Sequence, residues 1–398
     1  MVNKEKDVIF SLLKNIKYGK INIYFSQKDT PSLSFCGIEN EDLEVNLQIH
    51  NLDFFKKIIS RKDVGLGESY IDSDFEVDDL EKFIIILIKN YSVLASVAFG
   101  YTLKEKIKFV WLHFKNRNTK SGSRKNISSH YDVGNEFYKL WLDESMFYSS
   151  GLFLNESDTL EQSQINKVNR IMQQIGGAKN VWEIGCGWGG FLRAAIKQNK
   201  NVRGISLSKE QLKICDERIE KENNSENKSV ALFEDYRSTS ENIKDKFDAV
   251  VSIEMIEAVG QKYWATYFES IKNNLKDGGV GVIQVILKTP DEDYQRYLKS
   301  TDFIREYTFP GGLLMGREQM RADMQKAGLE IVDWYEFAKD YQKTLQLWLI
   351  AFDEHKQEIL NMGYSQEFIR SWRFYMSSCA ACFDTGEASV AQVTFKKI

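Results

Sequence analysis

One segment carries the clearest signal of the fold: Val181-Trp182-Glu183-Ile184-Gly185-Cys186-Gly187-Trp188-Gly189-Gly190-Phe191. A short apolar run ends in a glycine-rich turn, and a helical stretch, Leu192 to Lys197, follows the turn. This order predicts the strand, tight loop and helix of a nucleotide-binding β-α unit. Glycines let the backbone approach a ligand closely, and the helix N-terminus behind them favours an electron-rich or anionic group. A plain structural turn is the alternative interpretation.

The residues around this loop exclude two common phosphate-binding motifs. No Lys-Ser or Lys-Thr pair follows Gly190, so the loop is not a P-loop. A dinucleotide-binding fingerprint requires an acidic residue about 20 residues further on, at the end of the second strand. Gly204-Ile205-Ser206-Leu207-Ser208 occupies that place, so the loop does not fit this fingerprint either.

The composition indicates a globular protein of two domains. The 398 residues are 43% hydrophobic and 28% charged, which is typical of a chain that folds around a full core. A formal net charge of -4 argues against a general nucleic-acid-binding protein. Five scattered cysteines and four histidines predict neither a disulfide framework nor a metal site, and they fit a reducing compartment.

The apolar and basic stretches of the first half predict a peripheral membrane protein. Phe83–Gly100 is the most apolar stretch, but Lys89-Asn90-Tyr91-Ser92 interrupts it, so we expect a buried or interfacial helix. Basic and aromatic residues then alternate between Leu103 and Lys125, a mixture typical of helices that bind anionic membrane surfaces. A solvated helix and linker is the alternative. We expect a cytoplasmic protein on the inner face of the membrane.

The chain is predicted to divide into domain 1–120 and domain 121–398, because the polar run Asn116–Ser129 separates two patterns. The first domain is predicted to be a small α+β unit that interacts with lipid or membrane. Its predicted elements are strands at Ile21–Phe25 and Leu43–Ile49, a helix at Leu52–Ser60, a turn-rich loop at Gly65–Tyr70 and a helix opened by Asp78-Asp79-Leu80-Glu81.

The second domain alternates strands and helices, which predicts a mostly parallel sheet with helices on both faces. Asp158 and Glu161 are predicted to cap a helix whose apolar face contains Ile165, Val168, Met172 and Ile175. The predicted strands are Val181–Ile184, Val202–Ser206, Ala231–Phe233, Phe247–Ile253 and Val280–Ile286, and two more, Glu330–Tyr335 and Ala391–Phe395, flank a helical insertion.

Motifs in a fixed order resemble the cyclopropane-fatty-acyl-phospholipid synthase family, which includes the mycolic acid methyltransferases. They are His130–Asn135, Met146–Ser150, Glu183–Gly190, Gly204–Gln211, Asp235–Arg237, Glu254–Gly260, Phe309–Gly312 and Asp340–Leu345. The N-terminal unit, with Gly65–Tyr70, also resembles the bacterial phospholipid enzymes. The resemblance implies an α/β fold with the Rossmann-like sheet of class I methyltransferases, and a homodimer.

The resemblance implies transfer of the methyl group of S-adenosyl-L-methionine to the cis double bond of an unsaturated phospholipid acyl chain, forming a cyclopropane ring. The glycine loop would approach the methionine end of the cofactor, a polar pair would hold the ribose, and an Asp-Tyr pair would lie near the adenine. Turn geometry and core packing are the alternatives. The implied cofactor-binding residues are Tyr148, Ser149, Gly185, Gly187, Gly189, Ser206, Leu207, Gln211, Asp235 and Tyr236.

The resemblance also implies a bound bicarbonate, which relatives hold with a Cys, a Glu, a His and a Tyr and use as the base. Glu257 and Tyr341 match the glutamate and the tyrosine, whereas Ser150 and Gln284 stand at the cysteine and histidine positions. Serine and glutamine still donate hydrogen bonds to an anion, but glutamine cannot carry a proton. Cys379 matches a further family cysteine, with a buried structural cysteine as the alternative.

Three functional alternatives remain open, and the first follows from these departures. A poorly placed base would let a hydride shift along the acyl chain before proton loss, which gives a methyl-branched or methylene-bearing product instead of a ring. A small-molecule N-methyltransferase is a second reading, because the catalytic domains of some such enzymes look similar. A non-catalytic lipid-binding protein that keeps the fold is the third.

Overall fold

The computed structural model describes residues 2–25, 31–98, 133–222, 227–241 and 246–398, which form two compact units. The N-terminal unit comprises the described part of Met1–Leu112 together with Ser300–Thr308 and Trp348–Thr385. The C-terminal unit comprises the described part of His113–Lys299 with Phe309–Leu347 and Gly386–Ile398. The N-terminal unit therefore contains segments that the sequence places in the second domain. The predicted boundary at residues 120 and 121 and the whole basic aromatic segment between Leu103 and Lys125 lie outside the described residues.

A four-stranded sheet in the order β2-β1-β3-β4 is the centre of the N-terminal unit. Strand β1 pairs in parallel with β3 and antiparallel with β2, and β3 pairs antiparallel with β4. The elements of this part of the chain are α1 (Val2–Leu13), β1 (Tyr18–Tyr24), β2 (Leu33–Cys36), β3 (Glu39–Ile49), α2 (Asp53–Ile71), β4 (Phe75–Val77), α3 (Leu80–Lys89) and α4 (Tyr91–Ala98).

The prediction of a turn-rich loop at Gly65–Tyr70 is wrong, because this segment is helical and belongs to α2. A β-carbon at Gly65 would lie 2.0 Å from the carbonyl oxygen of Lys57, and one at Gly67 would lie 2.3 Å from the ring of Phe303. The glycines therefore serve close packing inside a helix. The change of direction falls earlier, at Lys62, where φ is 58° and ψ is -126°.

A seven-stranded sheet in the order β10-β11-β9-β8-β5-β6-β7 is the centre of the C-terminal unit. Adjacent strands in the series β9-β8-β5-β6-β7 pair in parallel. Strand β11 runs antiparallel to both β9 and β10. The strands are β5 (Asn180–Ile184), β6 (Asn201–Ser206), β7 (Val230–Phe233), β8 (Phe247–Ile253), β9 (Leu275–Lys288), β10 (Leu329–Glu336) and β11 (Ala388–Lys397).

Helices cover both faces of this sheet, which confirms the predicted α/β class. Successive residues of β5 face opposite sides: Trp182 joins a buried cluster with Phe268, whereas Val181 joins another with Ile171 and Leu192. The helices of this part of the chain are α5 (Asn135–Lys139), α6 (Leu160–Ile175), α7 (Gly190–Lys197), α8 (Lys209–Glu222), α9 (Trp264–Asn274), α10 (Tyr294–Leu298), α11 (Arg317–Ala327) and α12 (Ala338–Glu354).

The insertion between β10 and β11 is helical, as predicted. Helix α12 opens it, and α13 (Lys356–Asn361) and α14 (Gln366–Thr385) complete it. Both α13 and α14 belong to the N-terminal unit, where α14 packs against α2 and α3. Across the described ranges, no helix is long and apolar enough to cross a membrane. The same residues contain no cluster of three or more potential metal ligands.

The capping prediction for α6 needs a correction by one residue. Thr159 is the N-cap, and its hydroxyl accepts a hydrogen bond from the backbone N–H of Gln162 at 3.2 Å. Asp158 instead accepts from the backbone N–H groups of the preceding turn. The predicted apolar face is confirmed at Val168, Met172 and Ile175, which are buried, but it is wrong at Ile165, which is 45% exposed.

Candidate active site

The glycine loop between β5 and α7 has the backbone that only glycine adopts without strain. Gly185, Gly187 and Gly189 have φ values of 78°, 52° and 80°. A β-carbon at Gly185 would lie 2.8 Å from the side chain of Met255, so the loop packs tightly on that side. A β-carbon at Gly187 would meet nothing within 4 Å. Gly187 therefore faces open space, which a ligand can enter.

Glu183 provides a test of whether S-adenosylmethionine fits this loop. The residue lies in β5 directly before the loop and is 3% exposed. Its Oε2 atom is buried and has no hydrogen-bond partner, and burial raises the pKa of the carboxyl well above its usual value. A buried carboxyl that lacks a hydrogen-bond partner is stabilised when a cation binds beside it. The methionine end of S-adenosylmethionine carries positive charge, so Glu183 and the open glycine loop fit this cofactor.

The predicted ribose pair is brought together at the carboxyl end of β6. The Ser206 hydroxyl donates to Oε1 of Gln211 at 2.9 Å, and the backbone N–H of Ser208 donates to the Ser206 hydroxyl at 3.1 Å. Ser206 and Gln211 are both buried, and Leu207 is half-buried in the turn before α8. Their predicted contact with the cofactor stays a prediction.

Asp235 and Tyr236 follow β7, at the same edge of the sheet. The Asp235 carboxylate accepts three hydrogen bonds from Arg237: from the backbone N–H at 3.0 Å, from Nε at 2.8 Å and from Nη2 at 2.5 Å. The Tyr236 ring packs edge-on against Tyr267, with centroids 5.5 Å apart, and burial raises the pKa of its hydroxyl. Asp235 thus already has a charged partner within the loop, and its role toward adenine stays a prediction.

Tyr148 belongs to a wall of aromatic side chains. Its ring lies 5.5 Å from that of Trp141 and 5.6 Å from that of Tyr138, and it stacks on Phe309 with centroids 6.3 Å apart. The neighbouring Ser149 is buried. Such a wall excludes water and presents π faces to a positive charge.

A ring of donors surrounds the Glu254 carboxylate at the end of β8. The backbone N–H of Ser150 and the side-chain amide of Gln284 donate to Oε1, at 2.9 and 2.8 Å. The hydroxyl of Tyr341, from α12, donates to Oε2 at 2.6 Å. Gln284 also donates to the carbonyl oxygen of Ser150 at 3.1 Å, which links two of the donors. We call these three residues the Glu254 cage.

A second layer fixes the orientation of Gln284. The amide of Gln392, from the adjacent strand β11, donates to Oε1 of Gln284 at 3.1 Å. The oxygen of Gln392 accepts from Arg170 at 3.1 Å, and Arg170 forms an ion pair with Asp333 at 2.6 Å. Because Gln284 uses its oxygen toward Gln392, its amide nitrogen is directed to Glu254 and Ser150.

Lys167 is a charged residue of α6 with no exposed surface. Its ammonium donates to the Ser149 hydroxyl at 2.7 Å and lies 3.8 Å from the centroid of the Phe147 ring. Burial lowers the pKa of Lys167 to about 7, and the charge of Glu254 opposes this shift. Burial raises the pKa of Glu254, opposed by the donors Tyr341 and Gln284 and by Lys167.

Glu257 lies outside the cage, in the short helical turn Ile256–Ala258 that follows β8. Its Oε1 accepts a hydrogen bond from the backbone N–H of Ile286 at 2.6 Å, and its buried Oε2 has no partner. Burial and the neighbouring charge of Glu254 raise the pKa of Glu257 to about 8. Glu257 is therefore mostly protonated at neutral pH.

The predicted catalytic residues are only partly brought together. Ser150, Gln284 and Tyr341 meet, but they surround Glu254 rather than Glu257, so the donors expected to hold bicarbonate hold a carboxylate of the chain. The hydroxyl of Ser150 donates to the carbonyl oxygen of Gly151 at 2.8 Å, and only its backbone N–H serves the cage. Cys379 lies on α14 in the N-terminal unit, where burial raises the pKa of the thiol.

Glu254 and Lys167 are the residues that sequence reasoning missed. Glu254 follows an apolar strand and is separated from Glu257 by two residues, so a second carboxyl at the carboxyl edge of the sheet was a visible signal. For Lys167 the signal was its spacing from Ile171, because residues four apart share a helix face and Ile171 is buried.

The chain is similar to lipid-modifying enzymes over most of its length. The sequence model of the family described as mycolic acid cyclopropane synthetase matches residues 118–393. Cyclopropane-fatty-acyl-phospholipid synthase of Escherichia coli (strain K12) is 30% identical over 369 residues, which cover 92% of this chain and 91% of that protein. Tuberculostearic acid methyltransferase UfaA1 of Mycobacterium tuberculosis is 29% identical over 366 residues, which cover 88% of this chain and 82% of that protein.

A solved structure shows the same similarity in three dimensions. Mycolic acid cyclopropane synthase CmaA1, complexed with SAH and CTAB, matches with a TM-score of 0.62 at 27% identity. The match covers 69% of this chain and 98% of that chain. The structural similarity therefore spans that whole enzyme.

Proposed function

Because the chain belongs to the mycolic acid cyclopropane synthetase family, we propose that it forms cyclopropane rings in the acyl chains of unsaturated phospholipids. It is an S-adenosylmethionine-dependent methyltransferase of the cyclopropane fatty acid synthase type, acting on lipid double bonds. The phospholipid substrate is supported by the similarity to the Escherichia coli enzyme over 92% of this chain. The observation that carries the proposal is the Glu254 carboxylate, held by three donors at the carboxyl edge of the sheet.

The chemistry requires an environment that tolerates a cation. S-adenosylmethionine supplies an electrophilic methyl group when it is bound. Its methionine end would be held by the loop that contains Gly185, Gly187 and Gly189, and its ribose by Ser206 and Gln211. Addition of the methyl group to the double bond leaves a positive charge on the acyl chain. Water would trap this charge, and a dry aromatic wall prevents that.

Tyr148 and Phe309 are the proposed wall residues. Their stacked rings, with centroids 6.3 Å apart, present π faces that stabilise a cation. Ring closure then requires removal of a proton from the new methyl group by a base. The Glu254 cage keeps a negative charge at this edge of the sheet, because Ser150, Gln284 and Tyr341 all direct N–H or O–H groups toward it.

A methyl-branched or methylene-bearing acyl chain is the second candidate product. Gln284 stands at the position of the family histidine and cannot accept a proton at its amide. A slower proton removal would give a hydride time to shift along the chain before the proton is lost. The relative named tuberculostearic acid methyltransferase supports an outcome other than a ring.

The proposed partner is a phospholipid bilayer with an anionic surface, which the protein would approach from the cytoplasm as a peripheral protein. The location of the substrate supports this, since acyl chains of phospholipids lie in the bilayer. A homodimer remains an expectation from the family resemblance. Neither proposal is needed for the chemistry at Glu254.

The test uses purified protein, S-adenosylmethionine and vesicles of cis-monounsaturated phosphatidylglycerol, with saturated phosphatidylglycerol as the matched control. Mass spectrometry detects the added CH₂ unit, and proton NMR identifies its form. Upfield cyclopropyl protons support ring formation. Retained vinyl protons with a new methyl or methylene signal would assign the second candidate. Methyl transfer to small amines with none to lipid would show the chain to be an N-methyltransferase.

A further inference from the structure

We propose that the Glu254 carboxylate is the base that removes the proton in ring closure, in the place of a bound bicarbonate. This inference rests on the proposed methyl transfer to a lipid double bond. It identifies a catalytic residue that the sequence motifs do not single out.

The cage donors are already used by the protein's own carboxylate. Ser150 and Gln284 donate to Oε1, and Tyr341 donates to Oε2. An anion from solution would have to displace Glu254 from all three. A carboxylate offers about four lone-pair sites, so Oε2, with one donor, keeps a free lone pair for a proton. The cage thus both orients the carboxylate and leaves it competent as a base.

The backbone of Glu254 is held in a conformation that suits glycine. Its φ is 49°, in the left-handed region that L-residues rarely adopt. Its backbone N–H donates to the carbonyl oxygen of Gln284 at 2.8 Å, so the strand β9 that supplies the cage amide also fixes this backbone. Residues held in such regions cluster at functional sites. The strained backbone places the side chain inside the cage.

Burial favours a reactive base at Glu254, although the cation and the donors that face its carboxylate oppose this effect. Lys167 from α6 is the cation that faces Glu254, Tyr341 from α12 is a titratable donor, and Glu257 after β8 is a second carboxyl. Burial raises the pKa of Glu254, which makes its carboxylate a stronger base than an exposed one. Glu257, whose pKa is raised to about 8, is mostly protonated at neutral pH and so cannot accept the proton.

The step balances without a further reactant. The C–H bond of the transferred methyl group breaks, and its proton moves to Oε2 of Glu254. The electron pair of that bond forms the C–C bond to the cationic carbon, which closes the ring and cancels the charge. Glu254 is then neutral, and it returns its proton to water when the product leaves.

The first arm of the test uses the wild-type protein in buffer freed of carbon dioxide. Because the base is part of the chain, we expect the rate of cyclopropane formation to stay within twofold of the rate with added bicarbonate. A loss of more than tenfold on bicarbonate depletion, restored by adding it back, would overturn the proposal. This arm needs no variant, so a folding defect cannot obscure it.

The second arm uses Glu254→Gln and Glu254→Gly, with Glu330→Gln as the matched control on the exposed side of β10. We expect Glu254→Gln to lower cyclopropane formation by about 100-fold or more, the usual contribution of a general base. Glycine at position 254 adopts the positive φ readily, and Glu254→Gly leaves the cage donors without the carboxylate. Formate or bicarbonate should therefore restore at least tenfold of the lost activity. Glu330→Gln should match the wild type.

Two outcomes of the second arm contradict the proposal. Glu254→Gln with activity within threefold of the wild type would place the base elsewhere. Glu254→Gly that binds S-adenosylmethionine normally but gains nothing from formate or bicarbonate would reduce Glu254 to a structural role. A wild-type protein that methylates no lipid in either arm would instead remove the proposed function, so the two failures are distinguishable.

Discussion

The side-chain amide of Gln284 donates to Oε1 of Glu254 across 2.8 Å, joining the middle of β9 to the end of β8. The pairing of β8 with β9 sets this distance, because Ile253 lies opposite Gln284 in the register. This hydrogen bond gives a partner to both the buried amide and the carboxylate. Each side chain therefore depends on the other for a hydrogen bond inside the protein.

Gln284→Met is expected to weaken the cage while keeping the volume of the side chain. The substitution removes a donor to Glu254 and one of the two acceptors of the Gln392 amide, whose other acceptor is the carbonyl oxygen of Lys167 at 3.4 Å. Stability should therefore fall by about 1–3 kcal/mol. Ring formation should fall by about tenfold. Urea unfolding and proton NMR of the lipid product measure the two effects. Unchanged stability and an unchanged product would show that the hydrogen bonds of the Gln284 amide contribute to neither stability nor ring formation.

Gln284→His tests whether the departure from the family histidine sets the product. If the second candidate is right, the variant should shift the product from methyl-branched or methylene chains toward rings. The ratio of upfield cyclopropyl to vinyl signals measures the shift. A wild-type protein that makes only cyclopropane, and a variant that changes nothing, would end this hypothesis.

Tyr341→Phe is expected to move the acidic limb of the pH–rate profile to higher pH. The hydroxyl donates to the charged form of Glu254 and so lowers the pKa of that carboxyl. Its removal raises this pKa, and a base is active only when deprotonated, so a higher pH is needed for the same activity. Rates of ring formation between pH 5 and 9 give the shift. A uniform loss at every pH would indicate a role other than tuning Glu254.

Glu257→Gln is expected to stabilise the protein at pH 8 but not at pH 5. The folded-state pKa of Glu257 is about 8, above the usual 4.5, so the folded state binds more protons between these values. The contribution of Glu257 to the free energy of unfolding is fully present below about pH 4.5. It is lost as the pH rises to 8, at up to about 1.4 kcal/mol per pH unit. Glutamine removes that loss. The difference in urea midpoint between variant and wild type, taken at both pH values, measures it.

Gly187→Ala is expected to impair cofactor binding more than it impairs folding. The site is open, so the methyl group clashes with no described atom, but φ is 52°. Gly278→Ala is the matched control, because Gly278 has φ 71° and equally open surroundings in the first part of β9. Both should lose about 1–2 kcal/mol of stability from backbone strain. Calorimetry with S-adenosylmethionine should show weaker binding for Gly187→Ala alone.

The sequence predicted local structure best where one pattern governs one element. The strand at Phe247–Ile253 has the predicted bounds, because a mostly apolar segment of this length suits a strand buried on both faces. The segment Gly65–Tyr70 was misread, since glycine marks a turn in most sequences but here relieves contacts with Lys57 and Phe303. Phe303 lies far from Gly67 in the sequence, so local pattern cannot reveal that contact.

The family, the α/β class and the glycine loop could be predicted without a structure, because each depends on the order and spacing of residues along the chain. Which carboxylate occupies the cage could not be predicted in this way, since it depends on tertiary packing. Ser150, Gln284 and Tyr341 come from a loop, a strand and a helix, and their distances to Glu254 depend on strand register and helix packing. A motif shows which residue types are present, whereas the packing of strands and helices determines which of their side chains form hydrogen bonds.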